Sequence, residues 1–467
     1  MIKQIQFLTY FISFFSISCF ISCDKKHSDS DYTAYFGGEV INPETNYVLF
    51  MKDNDLIDTI FLDKNNRFLH KFDSLTPGLY TFKHQPEYQY VYFDKNDSLM
   101  VIINSRDFDN SIVFCGRGDE KNNYLMEMYL SNEKDRSNMY DVYFRNSNEF
   151  IRNIDSSYAV RKKIYEKHKV GCGWSESFDT LARASLNLPH YFKKEVYPYA
   201  HKFITGENII NSLPKEYYKH RKNIDFNNTT FATYSPYIDY VTALLNNITF
   251  TESKGNINES DLENNIKKLN IADTLIKNQK IKNTVLNGLT LRYLLKEQNL
   301  HNNNAFIKRY LELSTDKKMQ EDIRKIEKSI YKLSVGNKLP TEKFVNENNE
   351  PVRLEDLVKK QTVIFFCNLN IPSHLNAVHR KVFKLKEKYP NTDFIAVNID
   401  DTYEDWKKKL TEFDHKNIIE IHATDPETIK EDLIIYKIHR TMILNPDGTI
   451  KHGFVNLFDI NFEENLK

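Results

Sequence analysis

The order of apolar and polar positions changes its period along the chain, and the first region has a period of two. Between residues 32 and 117, short apolar runs recur at near-regular spacing, separated by turn residues such as 63–66 (DKNN) and 76–78 (TPG). This alternation, interrupted by Asn, Asp, Pro and Gly, is typical of β-strands. It predicts a small all-β domain, either a sandwich or a barrel, in which residues 58–72 form the clearest hairpin.

From residue 118 to residue 335, apolar residues recur every three or four positions, and Lys, Glu and Asn occupy the other faces. This is the period of amphipathic helices, and it predicts a packed α-helical domain. The clearest examples are Met319, Ile323, Ile326, Ile330 and Leu333, followed by Phe306, Tyr310 and Leu313. Asn-rich stretches at 226–228, 262–265 and 302–304 predict loops, and residues 171–174 (GCGW) predict a loop with Trp174 buried.

Residues 336–467 alternate between the two patterns. The predicted strands and helices follow one another at 362–367, 373–388, 393–399, 403–413, 418–421 and 426–434, and strands at 441–444 and 449–454 flank a turn at 445–448 (NPDG). Alternation closed by a hairpin predicts a mixed α/β sheet with helices on both faces. The predicted fold class is therefore multidomain: an N-terminal all-β domain, a central α-helical domain and a C-terminal α/β domain.

Length and charge limit the possible functions. A chain of 467 residues is longer than one hydrophobic core usually holds, which agrees with several domains. Its 64 Lys and Arg residues balance 64 Asp and Glu residues, so no net field attracts an anionic polymer. We therefore expect no nucleic-acid partner.

The first 23 residues have the pattern of an export signal. Lys3 precedes an apolar run at residues 7–21, which is short for a membrane-spanning helix. Ser22 and Cys23 then resemble a bacterial lipoprotein processing site, which implies cleavage before Cys23 and acylation of its thiol, with Cys19 as a rival acceptor. The resemblance implies a lipid-anchored protein of the cell envelope, on the periplasmic face or in the outer membrane.

Three cysteines follow this segment, Cys115, Cys172 and Cys367, and no C-x-x-C motif occurs in the chain. Neither a zinc-knuckle spacing nor a dithiol motif is therefore available. His374 and His379 are five residues apart, a spacing that directs them to different faces of a helix. We predict neither a metal site nor a cofactor.

Residues 336–467 resemble the thioredoxin-like family, specifically its exported TlpA-type members. The matching segments are 336–340 (GNKLP), 352–357 (VRLEDL), 363–373, 396–400 (AVNID), Trp406, 436–438 (YKI) and the Pro-Asp-Gly hairpin. The predicted order of domains is also similar to a common TlpA-type arrangement, in which a lipoprotein signal is followed by a β domain, a helical domain and a thioredoxin-like domain.

The resemblance implies a dithiol site that this chain lacks. In the family the loop after the central strand reads Trp-Cys-x-Pro-Cys, and the helix N-terminus lowers the pKa of the first thiol. The two thiol positions here hold Asn370 and Ser373, although Pro372 is kept. Asn370 is a good N-cap residue, which indicates a structural role. Cys367 lies earlier, where burial is expected to raise its thiol pKa.

The family also places a cis-proline opposite the thiols, and this chain has His439 there, followed by Arg440. A cis bond before a residue other than proline costs about 3 kcal/mol, so we predict a trans bond and a reshaped groove. Pro372, His374 and Arg440 are the candidate ligand-binding residues of this groove. His374 is expected to be a solvated residue of the first helical turn.

These residues leave three functions to compare. The favoured one is a redox-inactive binding or scaffold module with an envelope protein or peptide as partner, since a fold persists without its reactive groups. The second is a TlpA-type thiol-disulfide oxidoreductase that uses Cys367 or Cys172. The third is a hydrolase in which Ser373 is the nucleophile and His439 or His374 its base, although the sequence identifies no carboxylate to orient the base.

Overall fold

The computed structural model describes residues 32–255, 261–297, 299–339, 344–369, 371–399, 401–412, 418–459 and 461–467. Cys23 and Asn370 therefore lie outside the described residues. Within those residues, no helix is both long enough and apolar enough to cross a membrane. The chain forms two compact units, one of described residues up to Met126 together with Trp174–Phe178, the other of Glu127–Gly173 and Asp179–Lys467.

The first unit is a β-sandwich, one of the two architectures that the sequence predicts. Its strands β1–β8 are Ala34–Ile41, Tyr47–Lys52, Asp55–Phe61, Arg67–Phe72, Gly78–His84, Glu87–Phe93, Ser98–Asn104 and Val113–Arg117. One sheet has the order β4-β1-β7-β8 and the other has the order β3-β2-β5-β6. Phe36 of the first sheet is fully buried against Phe50 and Phe82 of the second, at ring-centroid distances of 5.5 and 5.6 Å.

The predicted hairpin at residues 58–72 is wrong. The strands on either side of residues 63–66 belong to different sheets: β3 pairs with β2, and β4 pairs with β1. The turn itself forms, because the amide of Asp63 donates to the carbonyl of Arg67 at 2.7 Å. A local turn pattern therefore identified the change of direction but not the partner of each strand.

Ten helices precede residue 336 in the described part of the chain. Helices α1–α10 are Phe108–Ser111, Asp119–Arg136, Met139–Phe144, Ser147–Cys172, Glu176–Thr205, Ser235–Glu252, Leu262–Leu275, Gln279–Leu294, Leu300–Leu313 and Lys317–Lys332. The predicted stripe of α10 is confirmed, since Ile323, Ile326 and Ile330 are all buried.

Two of the three Asn-rich stretches are helical, which corrects the prediction of loops. Residues 262–265 begin α7, and residues 302–304 lie inside α9. Asp261 and Asn299 act as the N-caps of these helices through their side-chain oxygens, so the polar stretches mark helix starts. In the same way α4 continues to Cys172 and ends at Gly173 in the left-handed conformation, while Trp174 is only partly buried.

The C-terminal region contains a seven-stranded mixed sheet. Strands β9–β15 are Phe344–Val345, Pro351–Val352, Gln361–Cys367, Thr392–Asn398, Ile419–Ala423, Arg440–Leu444 and Ile450–Asn456, in the order β10-β9-β13-β12-β11-β14-β15. Helices α11–α14 are Leu354–Leu357, Pro372–Lys388, Tyr403–Leu410 and Pro426–Asp432. Strands β11, β12 and β13 are parallel, and β14 is antiparallel to β11. Every residue of β11 from Thr362 to Cys367 is buried, so both faces of this central strand are covered.

Candidate functional site

The loop between β11 and α12 is anchored to the end of the neighbouring strand β12. The amide of Leu369 donates to Oδ2 of Asp401 at 2.9 Å, and Nδ2 of Asn398 donates to the same oxygen at 2.5 Å. The amide of Ile371 donates to the carbonyl of Asn368 at 3.2 Å, which turns the chain into the helix. These bonds place the start of α12 at the carboxyl edge of the parallel strands, where ligands of open α/β sheets bind.

Helix α12 begins at Pro372, and its N-cap residue is Ile371, whose side chain makes no capping hydrogen bond. Asn370, which we expect to cap this helix, lies outside the described residues, so its capping role stays a prediction. Pro372 occupies the first helical position, where its missing N–H costs nothing. Ser373 follows and is exposed, so this candidate residue faces solvent at the positive end of the helix.

Cys367 is buried, as predicted. It is 3% exposed and packs with residues of β11 and α12 that include Val363, Phe365 and Leu375. Burial raises the thiol pKa of Cys367 well above its ordinary value, and the carboxylates of Glu420 and Asp401 act in the same direction. A neutral, inaccessible thiol is a poor nucleophile.

His374 and His439 are close enough to interact electrostatically, since His439 lowers the pKa of His374. His374 is partly buried, and both of its ring nitrogens are buried without a hydrogen-bond partner among the described residues. The expectation of a solvated His374 is therefore wrong. Burial lowers the pKa of His374 to about 4, with smaller contributions from His439 and His379, so its imidazole is neutral at neutral pH. The ring of Phe458 packs edge-on to it at 5.9 Å.

His439 is half-buried, and the peptide bond that precedes it is trans, as predicted. Burial lowers the pKa of His439, and Lys437 lowers it further, whereas the exposed carboxylate of Asp459 opposes the shift. Asp459 is a neighbour that the sequence reasoning missed. Within the described part of the site, no hydrogen bond joins Ser373 to either histidine, so the geometry of a nucleophile and its base is not formed.

Arg440 is buried, and its predicted role in ligand binding stays a prediction. It is 7% exposed and donates to the carbonyls of Ile434 and Gly453 at 2.6 and 2.8 Å, while its guanidinium lies 4.1 Å from the ring centre of Phe454. Burial lowers the pKa of Arg440 to about 9, so the side chain stays charged at neutral pH. Its role is to join the segment before β14 to strand β15.

His379 and Glu420 form a buried pair that the sequence analysis did not predict. Nδ1 of His379 lies 2.8 Å from the carbonyl oxygen of Leu375, and Nε2 lies 3.0 Å from Oε1 of Glu420. A carbonyl can only accept, so Nδ1 carries a proton, and the bond between Nε2 and Glu420 shares another. The available signal was Glu420 itself, a charged residue between two isoleucines in a strand that is buried on both faces.

Neither of the other two cysteines lies in the first turn of a helix. Cys172 is the last residue of α4, at the negative end of the helix dipole, which disfavours a thiolate. Cys115 is exposed on strand β8. In the described ranges, no group of three or more His, Cys, Asp or Glu residues is arranged to hold a metal ion.

Comparison with known proteins finds matches among solved structures. No family profile matches the chain, and no curated protein matches it. A thioredoxin-like protein from Bacteroides caccae is 15% identical, with a TM-score of 0.35, over 55% of this chain and 92% of that one. A candidate thiol-disulfide oxidoreductase from Bacteroides vulgatus is 20% identical, with a TM-score of 0.25, over 28% and 94%. A thiol:disulfide interchange protein from a Bacteroides species is 20% identical, with a TM-score of 0.22, over 25% and 78%.

These neighbours are thioredoxin-like proteins, but likenesses of this size carry no argument about activity. The assignment of a thioredoxin-like fold rests instead on the order and direction of the strands. The parallel β11–α12–β12 unit, followed by the antiparallel pair β14–β15, agrees with the thioredoxin-like fold predicted for residues 336–467.

Proposed function

We propose that this chain is a lipid-anchored protein of the cell envelope whose TlpA-type thioredoxin-like region binds a protein or peptide and does not exchange disulfides. One observation carries the proposal: the two positions that flank Ile371 and Pro372 hold Asn370 and Ser373, so no sulfur stands at the start of α12. The positive end of the helix is retained, but it has no thiol to activate.

Cys367 is a poor substitute for the missing pair. Disulfide exchange requires a thiolate that can approach the partner's sulfur along the S–S axis. The thiol of Cys367 is 3% exposed and its pKa is raised, so the reactive form is both scarce and out of reach. Cys172 is the last residue of α4, where the negative end of the helix dipole does not favour a thiolate.

The groups that remain at this surface support a binding role. Ser373 and Phe458 are exposed, and His374 and His439 are half-buried beside them. An exposed aromatic ring among side chains that can donate and accept hydrogen bonds is a common composition for a recognition surface. We therefore place the partner's contact at Ser373, His374, His439 and Phe458.

The redox-inactive assignment is tested by insulin reduction in the presence of dithiothreitol. The chain without its first 23 residues is expected to reduce insulin no faster than dithiothreitol alone, because neither thiol position holds cysteine. Cys367→Ser and Cys172→Ser are matched variants and are expected to give the same background rate. Thiol-dependent turnover that disappears in either variant would establish the oxidoreductase instead.

The anchor is tested separately, because it depends on acylation near the start of the chain and not on the C-terminal region. In cells that express the full chain, the protein is expected to fractionate with membranes and to incorporate a labelled fatty acid. Cys23→Ser is expected to lose the label, whereas Cys19→Ser is expected to keep it. Label retained by Cys23→Ser and lost by Cys19→Ser would move the acceptor to Cys19, and no label in the unaltered chain would exclude the anchor.

A further inference from the structure

One face of the sheet β4-β1-β7-β8 points away from the core of the sandwich, and we call it the outer face. Its side chains alternate along each strand with buried ones such as Phe68 on β4 and Phe114 on β8. The pairing of the strands arranges the outward positions in rows. Leu69, Gly37, Met100 and Cys115 form one row, and Arg67, Glu39, Ile102 and Val113 form the next.

The two rows contain an apolar patch that is open to solvent. Leu69 is 64% exposed, Val113 is 55% exposed and Ile102 is 48% exposed. The side chains of Leu69 and Met100 meet over Gly37, since a Cβ at Gly37 would lie 2.9 Å from Cδ1 of Leu69 and 2.8 Å from Sδ of Met100. Apolar side chains that are both contiguous and exposed usually mark a surface that contacts a protein or a membrane.

Charged residues surround this patch. Among the outward positions of the four strands, Arg67, Lys71 and Arg117 are cations, whereas Glu39 is a carboxylate. Two of the cations have partners, because Arg67 pairs with Glu39 at 3.0 Å and Lys71 pairs with Asp73 at 2.6 Å. Long cationic side chains at the edge of an apolar surface keep their charged ends in the polar layer while their stems lie against that surface. An apolar patch with cations at its edge therefore suits the headgroup region of a bilayer.

The place of this sheet in the sequence favours a lipid surface over a second protein. The inference rests on the lipid anchor of the proposed function, which puts an acyl group on Cys23. Residues 24–31 separate Cys23 from Tyr32, and the carbonyl of Tyr32 is held on the sandwich by the amide of Leu75 at 2.9 Å. A fully extended segment of this length spans about 30 Å at most. Because strand β1 starts at Ala34 and is an inner strand of the sheet, the anchor keeps the outer face within reach of the bilayer.

We propose that the outer face lies on the membrane surface, with Leu69, Ile102 and Val113 inserted into the headgroup region of the lipid. The acyl group attaches the chain to the bilayer, and the outer face fixes the orientation of the sandwich on it. Apolar side chains that are exposed to water in the isolated chain are then covered by lipid, which is favourable.

Cys115 provides a native probe, because it is exposed on the outer face. A hexahistidine tag placed before residue 24 tethers the chain to vesicles of phosphatidylethanolamine and phosphatidylglycerol that contain a nickel-chelating lipid, so the test does not depend on acylation of Cys23. A polarity-sensitive fluorophore on Cys115, in a Cys172→Ser chain, is expected to emit at shorter wavelength on these vesicles and to be quenched by nitroxide-labelled lipid. The same fluorophore on Leu56→Cys, an exposed position of the other sheet in a chain without Cys115 and Cys172, is expected to show neither change.

Two double variants test which side chains enter the lipid. Leu69→Glu with Ile102→Glu is expected to lower the quenching at Cys115 about tenfold, because two of the inserted aliphatic side chains become charged. Leu56→Glu with Ile57→Glu is the matched control, since Leu56 and Ile57 are similarly exposed but lie on β3 of the other sheet. This control is expected to keep the quenching of the unaltered outer face.

Three outcomes would overturn the proposal. The first is equal quenching at Cys115 and at Leu56→Cys, and the second is quenching that survives Leu69→Glu with Ile102→Glu. The third is a change in Cys115 emission that grows with protein concentration in the absence of vesicles, which would assign the outer face to a second copy of this chain. Because the tag replaces the acyl group, none of these outcomes bears on the acylation of Cys23, which the fatty-acid label decides.

Discussion

Replacing Glu195 by Gln is expected to lower the free energy of unfolding of the helical region by about 3 kcal/mol, the cost of leaving one member of a buried ion pair uncompensated. Glu195 lies on α5 and is fully buried, yet it accepts four hydrogen bonds. They come from Nε2 of His220 at 2.7 Å, from Nε and a terminal nitrogen of Arg221 at 2.9 and 2.7 Å, and from Nδ2 of Asn247 at 2.7 Å.

The expected loss of stability is large because Gln lacks the negative charge of Glu195 and one of its two acceptor oxygens. Gln has the same shape, but its amide nitrogen would face the donors of Arg221 or Asn247, and its neutral head leaves the Arg221 charge without a partner. Because the carboxylate joins α5, the turn at Lys219–Asn223 and α6, the loss is expected to weaken the packing of all three segments.

Urea unfolding followed by far-ultraviolet circular dichroism measures the change. Glu216→Gln is the matched control, because Glu216 is 79% exposed and its only close cation is Lys219 at 3.8 Å among the described residues. An exposed pair contributes about 0.5 kcal/mol or less, so the control is expected to unfold with the unaltered chain. A Glu195→Gln midpoint equal to that of Glu216→Gln would show that the buried network adds nothing to stability.

The same residue predicts a pH dependence. Burial by itself would raise the pKa of Glu195, but the hydrogen bonds and charges of Arg221 and His220 outweigh it and hold the pKa below its ordinary value. A carboxyl whose pKa is lower in the folded state contributes stability above its unfolded pKa, and this contribution is lost as pH falls. The difference in stability between the unaltered chain and Glu195→Gln is therefore expected to shrink below about pH 4.5.

The fold was predictable to the extent that each segment carries its own periodicity. Strand β11 and helix α10 follow from runs and stripes that need no distant partner. The prediction of a 58–72 hairpin failed because strand pairing depends on the whole sandwich, in which β4 pairs with β1 and β3 pairs with β2. The Asn-rich stretches failed for a local reason: Asn disfavours helix interiors, but Asn299 caps α9 and Asn303 is buried within it.

The sequence predicted which reactive groups are missing from the site, but it did not predict which side chains contact one another there. The sequence shows directly that residues 370, 373 and 439 are Asn, Ser and His, which are the positions where the resemblance implies two thiols and a proline. The burial of Arg440 is not visible in the sequence, because it depends on carbonyls from residues 434 and 453 that meet only in the folded chain. The pairing of His379 with Glu420 likewise joins a helix to a strand 41 residues away.

Restoring both thiols is expected to produce the second large effect. The double variant Asn370→Cys with Ser373→Cys recreates a Cys-x-Pro-Cys loop at the start of α12, a helix of 17 residues that begins at Pro372. The dipole and the unpaired N–H groups of this helix lower the pKa of a thiol placed there. Insulin reduction is therefore expected to rise at least tenfold above the background of the unaltered chain, as expected when a reactive dithiol is gained.

Two single variants test separately whether the helix N-terminus activates a thiol and whether turnover needs two thiols. Ser373→Cys alone supplies one exposed thiol, so it is expected to alkylate at a lower pH than Arg380→Cys, an exposed position in the middle of the same helix. It is expected to raise insulin reduction far less than the double variant does, because its mixed disulfide with insulin has no neighbouring thiol to resolve it and must wait for dithiothreitol.

The decisive outcome is a double variant whose two cysteines oxidise to a disulfide, as measured by mass, and yet exchange with insulin no faster than the unaltered chain. In that case the lack of sulfur at these two positions would not by itself explain a lack of exchange. The barrier would lie in the groove, where residue 439 is His and His374 packs against Phe458. Exchange that rises with the thiols alone would instead show that the fold retains everything the chemistry needs except the reactive atoms.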